Sequence, residues 1–163
     1  MNLSFPRGVL GGPIRLEGLE ATRALGRDLA AMLSGGELVL LEGPLGAGKT
    51  SLAQGMAAGL GVPGAVTSPT FALCNRLQGR LELHHYDLYR LESLERLLRI
   101  GMEDSLESGA VTLVEWPALL LPLVRGEALL LRLAHDGEAR SLRGGWLDRD
   151  ALAALELPLP GEA

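Results

Sequence analysis

Eight consecutive residues, Gly43-Pro44-Leu45-Gly46-Ala47-Gly48-Lys49-Thr50, fit the spacing G-x-x-x-x-G-K-[ST] at every fixed position. That spacing suits phosphate binding. Gly43, Gly46 and Gly48 permit positive φ, so backbone N–H groups can close around an oxyanion without Cβ clashes. Ala47 in the loop, and Ser51 in the first turn of a following helix, add main-chain groups to the same cradle. Lys49 brings a compact ammonium that can tuck between two phosphates, and the Thr50 hydroxyl is a hard oxygen ligand for Mg²⁺. The chain carries 14 arginines and this single lysine. Position 49 is thus the one place where arginine does not supply the positive charge, and it points to a nucleotide site.

A phosphate loop must join a strand to a helix. Residues 37–41 read as a buried strand. Residues 50–60 place Leu52, Ala53, Met56, Ala57 and Leu60 at helical spacing, with Gly61 as the stop. Upstream, 19–33 reads as a helix ended by Gly35-Gly36. Downstream, 61–69 is a loop, and 71–77 and 81–87 flank Gln78-Gly79 as a hairpin. Then follow a helical stretch over 94–106 broken at Gly101, a buried strand at 110–114, late strands at 129–133 and 140–142, and a closing helix at 148–155. This alternation predicts an α/β, P-loop NTPase-like fold with a mixed, mainly parallel central sheet flanked by helices. Residues 1–156 are expected to form one domain and 157–163 a loose tail. In such sheets ligands bind beyond the carboxyl ends of the strands, so the loops after Leu41, Asp87 and Val114 should converge.

Hydrolysis needs more than a cradle: a carboxylate to help hold metal and a group to position water. Glu115, ending the apolar strand at 110–114, is the first candidate for the metal. Asp87 could ligate Mg²⁺ through water, orient the nucleophile, or cap a following helix. Ser68 and Thr70, in Ser68-Pro69-Thr70-Phe71, occupy a constrained loop where a nucleotide-sensing switch would sit, or form an ordinary turn. Trp116 would stack on a partner or pack in the core. His84 and His85 are adjacent, so on a strand they face opposite ways; they read as structural or solvent-facing.

Net charge is −5, with arginines scattered among acids, which argues against a large nucleic-acid footprint. Cys74 is the only cysteine and reads as a small buried hydrophobe in a reducing cytoplasm. No apolar run approaches the roughly 20 residues that would span a bilayer, so no membrane partner is expected.

In this order, Gly46-Ala47-Gly48-Lys49-Thr50, Ser68-Pro69-Thr70-Phe71, His85-Tyr86-Asp87-Leu88-Tyr89-Arg90-Leu91 and Glu115-Trp116-Pro117 resemble the TsaE (YjeE) family over about 22–117. The resemblance implies a cytoplasmic ATPase that binds ATP with Mg²⁺ and acts with TsaB and TsaD in forming threonylcarbamoyladenosine, reaching tRNA through that complex. It implies catalytic roles for Lys49, Asp87 and Glu115, metal contacts from Thr50, Glu115 and Asp87, and a switch or partner role for Ser68, Thr70 and Trp116. Thr22 and Gly26 match the family's early Thr and Gly, which implies that this helix helps shape the base pocket. Pro44 departs from the family's frequent acidic residue. The family's late Gly-Arg pair has no clear counterpart in Gly137-Glu138-Ala139-Arg140, where Arg140 is the candidate nucleotide contact.

Other readings are a small-molecule kinase with a lid drawn from Arg90, Arg96 and Arg99, and a nucleotide-gated binding module. A regulatory GTPase would want an N-K-x-D guanine reader, and the sole lysine already lies in the phosphate loop.

Overall fold

A computed structural model describes residues 3–69 and 72–161. The chain runs β1 (Gly11–Leu16), α1 (Gly18–Ala31), β2 (Leu38–Glu42), α2 (Lys49–Gly59), β3 (Cys74–Gln78), β4 (Glu82–Asp87), α3 (Leu94–Arg99), α4 (Met102–Glu107) and β5 (Val111–Glu115). A 3-10 helix (Pro117–Leu123), β6 (Glu127–Asp136), β7 (Ala139–Asp148) and α5 (Arg149–Ala154) complete it. The seven strands form one sheet in the order β1-β7-β6-β2-β5-β4-β3. Pairing is parallel from β6 through β2 and β5 to β4, and antiparallel at both flanks, β3 on β4 and β1-β7-β6. The mixed, centrally parallel sheet is the expected one, with an antiparallel hairpin at β3-β4.

Parallel strands covered on both faces should be largely apolar, and β2 (LVLL before Glu42) shows this most fully. Val39 and Leu41 of β2, with Leu113 of β5 and Leu131 of β6, pack under α1 and α2 beside Leu29, Leu52 and Met56. The alternate residues Leu40, Val114 and Leu130 pack on the other side with Leu97 of α3, Met102 of α4, Leu120 and Leu152 of α5. Two helical layers therefore sandwich the sheet.

Three differences from the sequence expectation stand out. Gly11-Gly12-Pro13, read only as a helix breaker, opens β1, an edge strand whose register on β7 shifts between Gly11 and Ile14. The late strands are ten residues each, longer than 129–133 and 140–142, because their polar ends pair with one another as a hairpin. Within the expected loose tail, Leu157 is buried in the second apolar layer.

The phosphate-loop helix is set down on α1 by glycine. A Cβ at Gly55 would fall 2.1 Å from the Arg23 carbonyl oxygen, and one at Gly26 2.5 Å from that of Leu52. Such separations exist only without side chains. Gly55→Ala is expected to force α1 and α2 apart and cost about 3 kcal/mol, within the usual range for overpacking. Thermal unfolding would show it as a Tm lowered by roughly 6–12 °C.

Candidate functional site

The sheet register builds the site. In the parallel ladder Asp87 pairs with Glu115, and Glu115 with Leu41, so three strand ends stop in one row. Side chains of paired residues face the same way, here toward the layer that holds α2. The loop 43–48 leaves β2 at this edge and delivers Lys49 and Thr50 as the first residues of α2. Gly46 and Gly48 take φ of 77° and 105°, a region open to glycine. A cleft of about 440 Å³ opens over the row, lined by Gly46, Gly48, Lys49, Thr50, Ser51, Ser68, Asp87, Glu115 and Trp116, with Leu19, Pro44, Leu45, Tyr89 and Arg90 at its walls.

Lys49 is buried, and its Nζ donates to the Gly43 carbonyl and, at 3.2 Å, to that of Pro44. The same ammonium lies 4.2 Å from the centre of the Trp116 ring. Burial pushes its pKa below the ordinary value, while the charges of Glu115, Glu42 and Asp87 pull the other way. Trp116 reaches this place by a left-handed turn, φ 57° and ψ 61°, between the end of β5 and Pro117. That conformation costs a non-glycine residue on the order of 1 kcal/mol. Tyr89 meets the indole edge-to-face at 5.3 Å. Trp116 thus packs in the core and also walls the cleft.

Asp87 does not cap a helix; Ser93 does that for α3, accepting from the Arg96 amide at 3.2 Å. Instead Asp87 Oδ1 accepts from the Tyr89 amide at 3.0 Å and Oδ2 from the Ser68 hydroxyl at 2.9 Å. One carboxylate therefore shapes its own turn and ties the 61–69 loop to the row. Thr70 lies outside the described residues.

Glu115 is buried, and its Oε2 accepts from His85 Nε2 at 2.8 Å. His85 lay outside the site in the sequence reading. Strand parity contained the signal, since His85 and Asp87 are two apart on β4 and share a face. His84, on the opposite face, is also buried, its Nδ1 2.7 Å from Ser105 Oγ, which in turn lies 2.6 Å from Tyr86 Oη. Neither histidine faces solvent.

Other candidates sit around the loop. Thr22 is fully buried behind Gly48, its hydroxyl donating to the Gly18 carbonyl at 3.4 Å. It supports the loop from behind, and Leu19, one helical turn earlier, lines the cleft. Ala47 is buried beneath the loop. Gly43, with φ 157°, lies where a Cβ would fall 2.5 Å from the Leu133 carbonyl oxygen. Arg140 on β7 donates from Nε to the Gly46 carbonyl at 3.2 Å, so the late hairpin braces the loop. On the opposite face of the sheet, Arg132 Nε donates to Glu42 Oε2 at 2.5 Å.

A centrally parallel sheet whose second strand runs through a glycine-rich loop into a helix beginning with Lys-Thr defines a P-loop, NTPase-like protein. A family model described as threonylcarbamoyl adenosine biosynthesis protein TsaE matches residues 16–142. The tRNA threonylcarbamoyladenosine biosynthesis protein TsaE of Synechocystis sp. is 43% identical over 111 residues, covering 64% of this chain and 69% of that protein. The Bacillus subtilis protein of the same name is 38% identical over 121 residues, covering 72% and 75%. The crystal structure of Bacillus subtilis YdiB superposes with a TM-score of 0.73 at 28% identity, covering 91% of this chain and 94% of that one. The chain belongs to the TsaE family. The match reaches beyond the expected 22–117 at both ends and takes in β6 and Arg140.

Ser68 and Asp87 should be energetically coupled. A double-mutant cycle with Ser68→Ala and Asp87→Asn, read by urea unfolding, is expected to give a coupling of about 1.5 kcal/mol, as for a hydrogen bond to a charged acceptor.

Proposed function

We propose that the protein is a Mg²⁺-dependent ATPase that supports the TsaB–TsaD threonylcarbamoyl transferase complex in forming threonylcarbamoyladenosine in tRNA, and that it does so in the cytoplasm. The convergence of Lys49, Thr50, Asp87 and Glu115 on one cleft carries this reading. The names of its relatives support the pathway. Among the described residues no helix is long and apolar enough to cross a membrane.

The donor set fits the metal. No group of three or more His, Cys, Asp or Glu side chains able to hold an ion occurs among the described residues. Mg²⁺ does not require one: with nucleotides it is held by one or two protein oxygens together with phosphates and water. Thr50 and Glu115 would hold it, with Asp87 acting through water or through the 61–69 loop. When bound, the ion neutralises charge on the phosphate oxygens.

The chain's own part is positioning. Loop amides from Gly46 to Ser51 bind phosphate oxygens, and the N-terminus of α2 adds its positive dipole end. Lys49 exchanges the Gly43 and Pro44 carbonyls for phosphate oxygens, a stronger charge-assisted pairing. Asp87 orients the attacking water at the row's edge, where Ser68 couples its position to the 61–69 loop.

Phosphate release from Mg-ATP, measured alone and with TsaB plus TsaD, tests the reading. Stimulation of tenfold or more, on the order of one step in barrier of about 1.4 kcal/mol, that disappears in Lys49→Ala is expected. Interaction with TsaB–TsaD and no stimulation would move the assignment to a nucleotide-gated binding module.

A further inference from the structure

His85 is 1% exposed, and its Nδ1 has no hydrogen-bond partner among the described residues. Its one polar contact given by the geometry is Nε2 to Glu115 Oε2, at 2.8 Å. A carboxylate only accepts, so the hydrogen must sit on Nε2. The imidazole is therefore a donor that fixes one oxygen of the Glu115 carboxylate.

The strands explain how the contact arises. His85 pairs with Leu113 in the β4-β5 ladder, and Glu115 lies two residues further along β5 on the same face. The ring reaches diagonally to Oε2 and leaves Oε1 for the cleft that Glu115 lines. Asp87, next on that face of β4, is engaged by Ser68 and Tyr89. The two carboxylates of the row thus meet separate donors, Ser68 and Tyr89 on Asp87 and His85 on Glu115.

We propose that His85 is a positioning residue for Glu115, holding one carboxylate oxygen so that the other is preset for a nucleotide-bound Mg²⁺. This rests on the ATPase reading above. Outer partners of this kind usually change metal affinity or activity by 10- to 100-fold.

Two substitutions separate positioning from packing. His85→Leu fills the space without a donor. His85→Gln places an amide nitrogen the same number of bonds from Cα as Nε2, with no titrating ring. For each, the affinity of a non-hydrolysable ATP analogue is measured by calorimetry with and without Mg²⁺, alongside kcat, KM and Tm. In His85→Leu the metal-free affinity should stay within about twofold, while the gain on adding Mg²⁺ and kcat each fall about tenfold or more. His85→Gln should bring both back to within about threefold of the original protein. The proposal is overturned if His85→Leu keeps the Mg²⁺ gain and kcat. It is equally overturned if His85→Gln, with an unchanged Tm, is as defective as His85→Leu. Should the unsubstituted protein bind no Mg-nucleotide, the ATPase reading itself falls, and this inference with it.

Discussion

Backbone hydrogen bonding along β4, β5 and β2 is the constraint on which everything else in the molecule depends. It sets Asp87 beside Glu115 and Glu115 beside Leu41 on strands roughly 4.8 Å apart. Because side chains alternate, a slip of one residue would turn Glu115 to the opposite face, among Leu40 and Leu120, and away from Lys49. The apolar faces on both sides prevent that slip. Val39, Leu41, Leu113 and Leu131 must meet α1 and α2, while Leu40, Val114 and Leu130 must meet the other layer. The hydrophobic core thus fixes the register, and the register aims the carboxylates.

The phosphate loop is located by a second, smaller-scale device. Glycines at 26, 55 and 59 bring α1 against α2 at backbone distance, and Thr22 then backs Gly48. From the opposite flank Arg140 reaches the Gly46 carbonyl. The loop is therefore gripped between an early helix and a late strand more than a hundred residues apart in sequence, both within the span matched by the family model.

Much of this was legible in the residues. The strand-loop-helix unit around Gly43 and Lys49 declares itself, because periodicity and glycine spacing are local. The ends of β4 and β5 were also visible, since an acid closing an apolar run has few structural uses. What stayed hidden depends on contacts distant in sequence. β1 takes its strand character from pairing with β7, which overrides the breaker composition of Gly11-Gly12-Pro13. The placement of Thr22 behind the loop follows from the closeness of two helices, and no local pattern encodes that distance. His85 was missed for another reason. Treating it with His84 as a pair obscured the period-two relation to Asp87 that places it on the site's face.

The contrast between one lysine and 14 arginines has a consequence for chemical reactivity. Lys49 carries the only side-chain amine in the sequence, and burial shifts it toward the uncharged, nucleophilic form. Guanidinium groups resist acylation under conditions where an amine reacts. Acyl donors and aldehydes that enter the cleft will therefore find one lysine target, and it is the residue that grips phosphate. Covalent modification of this chain at a side-chain amine is, by composition alone, modification of its phosphate loop.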